Sequence, residues 1–267
     1  LSDQTGIPVD MIDVIQGDSD RIKTGGGTGG SRSVTVQNNA TIHTVEAMTE
    51  AFVDFLAAEM GVPESQISFD DERFRADGSN LTPTMIEVAE MARDKGRDDL
   101  LVHEQRVTLQ ARSFPNGCHV CETVIDPETG VARVDRYAVV DDFGNLINPM
   151  LAEGQVHGGV VQGIGQALTE HVVFDEDGQL LTATFMDYAV PRADDVPMIE
   201  FASEPVPSTA NVMGMKGCGE AGTVGALAAV ANSVQDALWE RGVRQADMPF
   251  TPSKVWELIG DVSIAAE

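Results

Sequence analysis

The sequence predicts an α+β fold in two subdomains, residues 1–100 and 101–267, with mixed sheets and packed helices. Before residue 100 there are two stretches of helical periodicity, 40–60 and 82–95, separated only by short strand-like runs. Beyond it, β-rich runs at 106–112, 118–126 and 131–140 are followed by two more helical stretches. The change of character near residue 100 sets the subdomain boundary.

Taken in order, Met11-Ile12-Asp13-Val14-Ile15 reads as a short strand. The glycine-rich stretch Thr24-Gly25-Gly26-Gly27-Thr28-Gly29-Gly30-Ser31-Arg32-Ser33 comes next. It fits a flexible linker, or a loop offering N–H groups and a guanidinium to a phosphate or pterin. A Walker A loop is excluded, because the GK[ST] ending is missing. In 40–60, Ile42, Val45, Met48, Phe52 and Leu56 share one face and Gly61 supplies the stop. Short strands at 66–69 and 73–76 precede the 82–95 helix, whose face carries Met85, Val88, Ala89 and Ala92. Pro127-Glu128-Thr129-Gly130 signals a hairpin, 141–145 a turn, and Asp175-Glu176-Asp177-Gly178 a second hairpin between 172–174 and 180–185.

The stretch 154–168 is helical in period yet carries Gly158, Gly159, Gly163 and Gly165, each costing about 0.8–1.0 kcal/mol relative to Ala. Gln155 and Gln162 stand two turns apart, with Gly158 and Gly159 between them. Close helix packing explains the glycines. A ligand face explains the paired amides as well, since an amide head donates and accepts in one plane. His157 falls off that face and reads as structural or solvated.

The last segment of note is Met213-Gly214-Met215-Lys216-Gly217-Cys218-Gly219-Glu220-Ala221-Gly222. A helical run follows it, with Leu227, Ala228, Ala231, Val234 and Leu238 on one face, until Gly242. Glu220 therefore sits on a glycine-rich turn at a helix N-terminus. It is either a carboxylate capping the helix dipole or one presented to a ligand among free N–H groups.

Composition narrows the classes. Acidic residues outnumber basic ones 43 to 17, a net charge of −26, which argues against nucleic-acid backbones and anionic membranes. No apolar run reaches a membrane span and no signal peptide is visible; the chain opens at Leu1 and reads as a processed or excised piece. Cys118, Cys121 and Cys218 make no disulfide framework, and reduced thiols fit a cytoplasmic protein, with the periplasm left open. Cys118-His119-Val120-Cys121 lies in an extended run whose i and i+3 positions face opposite ways, so it is not read as a zinc pair.

Together, Gly154-Gln155-Val156-His157-Gly158-Gly159 with Gln162-Gly163, Asp187-Tyr188-Ala189-Val190-Pro191-Arg192, and Lys216-Gly217-Cys218-Gly219-Glu220 with Asp236-Ala237-Leu238 resemble the molybdenum hydroxylases. This is the xanthine oxidase and aldehyde oxidase superfamily, and the likeness is to carbon monoxide dehydrogenase-like and bacterial aldehyde dehydrogenase-like large subunits. It covers essentially the whole chain. The resemblance implies a molybdopterin cytosine dinucleotide cofactor, no protein ligand to the metal, and hydroxylation of an aldehyde, N-heterocycle or similar small substrate, or CO oxidation, with water as oxygen source. Glu220 matches the general base. Gly154, Gln155, Gly158 and Gln162 match the cofactor helix, and Thr28, Gly29, Gly30, Ser31 and Arg32 a further cofactor loop. Lys216, Gly217, Cys218 and Gly219 would bring backbone N–H groups to the metal's oxo ligand. Implied partners are an FAD-binding medium subunit, an iron–sulfur small subunit with 2Fe–2S clusters, and the N-terminal part of the large subunit. By that resemblance the chain corresponds to the C-terminal portion, expected to fold but to be inactive alone. A different class stays open: a non-catalytic acidic binding domain that keeps the fold without the cofactor. A nucleotide-phosphate binder acting through residues 25–31 is the weaker third reading, since no Lys or metal-binding partner accompanies that loop.

Overall fold

The computed structural model describes residues 1–22, 24–109 and 111–265, the last five of these by backbone alone. It has the expected α+β composition and divides into two units, residues 1–28 with 33–110, and residues 29–32 with 111–267.

The first unit begins with a short helix α1 (Ser2–Thr5) and is built around α2 (Ser33–Met60). A hairpin of β1 (Ile67–Asp70) and β2 (Arg73–Ala76) and the helix α3 (Met85–Asp94) complete it. Its core joins Phe52, Phe55 and Leu56 of α2 to Phe74 of β2 and Met85, Val88 and Ala92 of α3. The hairpin turns through Asp71 and Glu72, at φ 44° and 63°, a left-handed pair that matches the twist of the flanking strands. Thr84 and Glu87 form a reciprocal cap on α3, the hydroxyl accepting from Glu87 N and the carboxylate from Thr84 N.

Three expectations are corrected in this unit. α2 starts at Ser33 and not at residue 40. Its first turns lack apolar periodicity and are held partly by side chains bonding back onto the helix, Asn38 to Val34 O and Asn39 to Thr35 O. Residues 11–15 form no strand: a 3₁₀ turn ends at Met11, and Val14 is 81% exposed. Among the described residues of 106–112 there is no strand either, and Gln110 lies outside them.

The second unit is a three-stranded sheet with helices packed on it. Strand β3 (Asn116–Ile125) pairs antiparallel with β4 (Ala132–Asp142), and β5 (Ile199–Ser203) adds in parallel to β4. Helices α4 (Pro149–Leu168), α5 (Ala221–Trp239) and α6 (Pro252–Ala265) follow. The core runs from Val134, Tyr137 and Val139 of β4 through Val156, Val160 and Ile164 of α4 to Ala226, Val230, Val234 and Leu238 of α5. Asp141 and Asp142 are the last residues of β4, not part of a turn as the sequence suggested; the chain turns only after them. The 172–185 hairpin reduces to one bridge, Phe174 to Leu180, around a turn pinned by Asp175 Oδ1. Strand β5 and helix α6 were not anticipated.

Candidate cofactor-binding site

Helix α4 opens with Pro149 after Asn148, whose Oδ1 accepts from Leu151 N at 3.1 Å. Four of its five glycines divide into two sets, and the fifth, Gly165, lies against Glu170 and Pro191. A Cβ at Gly159 would lie 2.8 Å from Thr223 N, and one at Gly163 would lie 2.5 Å from Ala226 Cβ. From the other side, a Cβ at Gly222 would meet Val156 O and come within 2.8 Å of Val160 N. These three glycines let the backbones of α4 and α5 touch. Gly154 and Gly158 instead have open space where a Cβ would be, and Gln155 and Gln162 are exposed beside them. Packing thus explains Gly159, which leaves the predicted amide face, whereas Gly154, Gln155, Gly158 and Gln162 form a bare strip.

That strip is tied to the start of α5. Thr223 Oγ1 is 2.9 Å from Gln162 Oε1 and 3.0 Å from Gly159 O. Gln162 therefore has its amide oxygen oriented, while Gln155 has no side-chain hydrogen bond among the described residues. Thr223 escaped the sequence reading. Its only visible signal was its position three residues after Glu220.

The turn before α5 is braced from several directions. Asn145 donates from N to Gly214 O and from Nδ2 to Met213 O, and Asn211 holds both the N–H and the carbonyl of Met215. Lys216 points away from the turn, its Nζ 2.5 Å from Asp142 Oδ2, and its N–H donates to Phe143 O at 2.7 Å. Lys216 is therefore unable to offer that backbone N–H to a ligand, a correction to the sequence expectation. The N–H groups of Gly217 and Gly219 have no acceptor among the described residues. Burial pushes the Cys218 thiol up; its own backbone opposes this and the charge of Asp141 reinforces it, so the group stays a neutral thiol. Close by, His119 Nδ1 lies 2.8 Å from Tyr137 OH and its Nε2 3.6 Å from Asp141 Oδ1. Burial, with Cys121 and Asp141 adding to it, raises the Tyr137 phenol far above its usual range.

Glu220 is the N-cap residue of α5, yet its side chain makes no capping bond. Its Oε2 accepts instead from Ser31 Oγ at 2.7 Å, and its N–H donates to the same hydroxyl at 3.0 Å. Gly30 and Ser31 are left-handed, at φ 63° and 54°, and a Cβ at Gly217 would run into the Ser31 carbonyl. Gly29, Gly30, Ser31 and Arg32 thus pack with the second unit and deliver Ser31 to Glu220. Thr28 belongs to the first unit, where Ser33 Oγ donates to its hydroxyl at 2.9 Å. Among the described residues no group of three or more His, Cys, Asp or Glu side chains could hold a metal ion.

The donor set suits a large anionic ligand: free N–H groups, amide heads and a strip without side-chain bulk. Molybdopterin fits that description. A model of the molybdopterin cofactor-binding domain family matches residues 1–197. The chain is 33% identical over 263 residues to the nicotine 6-hydroxylase large subunit of Paenarthrobacter nicotinovorans, covering 95% of this chain and 32% of that protein. It is 33% identical over 270 residues to the carbon monoxide dehydrogenase large chain of Hydrogenophaga pseudoflava, covering 99% and 34% respectively. Among solved structures, a Cu,Mo-CO dehydrogenase in the carbon monoxide reduced state superposes with a TM-score of 0.86 at 31% identity, over 98% of this chain and 33% of the other. Quinoline 2-oxidoreductase from Pseudomonas putida 86 superposes at 0.74 and 30%, over 88% and 31%. The chain spans about a third of the length of these relatives.

Proposed function

Since this chain belongs to the molybdopterin cofactor-binding domain family, we propose that it is the cofactor-holding part of a molybdenum hydroxylase large subunit with Glu220 as general base. The cofactor would be held by Gly29, Gly30, Arg32 and the backbone of Ser31, by Gly154, Gln155, Gly158 and Gln162, and by the backbone of Gly217, Cys218 and Gly219, in its cytosine dinucleotide form. When bound, that group supplies two-electron redox chemistry and activates water as the oxygen source. The chain's own residues orient it through amides and N–H groups, and Glu220 takes up the proton released by the activated water. The substrate class is an aldehyde, an N-heterocycle or carbon monoxide. Electrons leave through partner subunits carrying FAD and 2Fe–2S clusters, and the compartment is the cytoplasm. No described helix is long and apolar enough to cross a membrane.

The observation that carries this reading is the carboxylate of Glu220, at a helix N-terminus but turned away from capping it. Glu220→Gln in the complete cofactor-loaded enzyme is expected to lower kcat by at least ~10²-fold with molybdenum content unchanged. Near-normal turnover at full metal occupancy would contradict it.

A further inference from the structure

We propose that Ser31 is the positioning residue for Glu220: it anchors Oε2 and the backbone N–H so that Oε1 alone is presented to accept a proton. The proposal rests on the reading of Glu220 as the base and adds the residue that aims it.

The geometry is a two-point clamp. Ser31 Oγ donates to Oε2 at 2.7 Å and accepts from Glu220 N at 3.0 Å, across 189 positions of sequence. A carboxylate on the N-cap residue ordinarily accepts from amides of its own first turn, and Glu220 does not. Ser31 has therefore replaced the helix as the element that sets the direction of this side chain. Its single O–H is already spent on Oε2, which leaves no hydroxyl proton for a cofactor. The two carboxylate oxygens are consequently unequal. Oε2 is anchored, whereas Oε1 makes no hydrogen bond among the described residues and Glu220 is exposed. An anchored oxygen with a free partner suits a base whose aim must be fixed while one lone pair stays available.

The backbone around Ser31 shows how the clamp is held. A φ of 54° lies in the left-handed region, costly for a residue with a Cβ and kept only where the surroundings impose it. Gly217 makes room for it, since any side chain there would strike the Ser31 carbonyl. Gly30 precedes Ser31 at φ 63°, so the chain makes its turn immediately before the clamp.

The test uses the complete cofactor-loaded enzyme with Ser31→Ala, Ser31→Gly, Glu220→Gln and the Ser31→Ala/Glu220→Gln double variant. Ser31→Gly guards against a folding artefact, because glycine relaxes the left-handed backbone while removing the hydroxyl. Both single Ser31 variants are expected to lose ~10- to ~100-fold in kcat, with KM, molybdenum and pterin content and melting temperature little changed. In the Glu220→Gln background the Ser31→Ala change is expected to cost nothing further, which a merely structural role would not produce. Loss of metal or pterin in Ser31→Gly would make Ser31 a cofactor ligand and overturn the proposal. So would Ser31 variants within about twofold of wild type while Glu220→Gln collapses, an outcome that leaves the base intact. Near-normal turnover of Glu220→Gln would remove the base reading itself, and the clamp with it.

Discussion

Lys216 Nζ lies 2.5 Å from Asp142 Oδ2, in surroundings where the two side chains are 10% and 8% exposed. The other oxygen of Asp142 accepts from the N–H groups of Gly144 and Val206, both at 2.9 Å. The pair therefore ties the end of β4 to the turn that carries Glu220. Lys216→Met is expected to destabilise the protein by about 3 kcal/mol or more at neutral pH, by leaving a buried carboxylate without its cation. Burial alone would raise the Asp142 carboxyl, but the Lys216, Val206 and Gly144 hydrogen bonds outweigh it and hold the group below its usual range. With the folded value depressed, the contribution is complete above the ordinary carboxylate pKa of about 3.9 and fades as pH falls through the folded value. The Lys216→Met deficit should accordingly narrow below about pH 4, as protonation of Asp142 removes the uncompensated charge. Urea melts of both proteins at neutral and acid pH measure it, and an equal deficit at every pH would contradict the assignment.

The two glycine sets of α4 make opposite predictions. Gly163→Ala places a Cβ 2.5 Å from that of Ala226, between two packed helices, and is expected to cost about 1–3 kcal/mol as overpacking. Gly158→Ala meets nothing within 4 Å and is expected to stabilise α4 by about 0.5–1 kcal/mol. In the complete enzyme that same methyl group intrudes on the proposed cofactor strip, so cofactor content should fall as stability rises. Denaturant melts together with metal analysis separate the two. A Gly158→Ala variant that keeps its full cofactor would mean the strip is not a binding face.

Net charge sets a third expectation. At −26, the folded chain concentrates like charge that the unfolded chain spreads out, and salt relieves the repulsion. The melting temperature should rise as KCl goes from about 0.01 M to about 1 M, where the screening length shrinks from ~30 Å to ~3 Å. A flat or falling profile would show that the acidic surface does not oppose folding.

What the sequence made legible follows from where each signal is local. The face of α2 around Val45 and Phe52 and the hairpin at residues 127–130 could be read, because their periods and turn residues lie within a few positions. The first turns of α2 could not, since Thr35 and Asn39 are buried polar residues and carry no apolar pattern. Strand β5 has only five residues, and its parallel partner Tyr137–Asp141 lies some sixty positions earlier, a pairing no local window contains. The glycines of α4 were visible as an anomaly. Their division between packing and open space needed the position of α5, which only the fold supplies. Ser31 and Glu220 were each singled out, but a contact across 189 residues has no trace in either segment.

If the bare strip on α4 holds the cofactor, removing its two amides should release it. Gln155→Leu with Gln162→Leu, made in the complete large subunit, keeps approximate side-chain volume and removes both amide heads. Thr223 can still donate to Gly159 O, so the junction of α4 and α5 should survive. Molybdenum and pterin per protomer, measured beside a circular dichroism spectrum, are the readout. Loss of most of the cofactor with an unchanged spectrum is expected. Full occupancy in the double variant would contradict it.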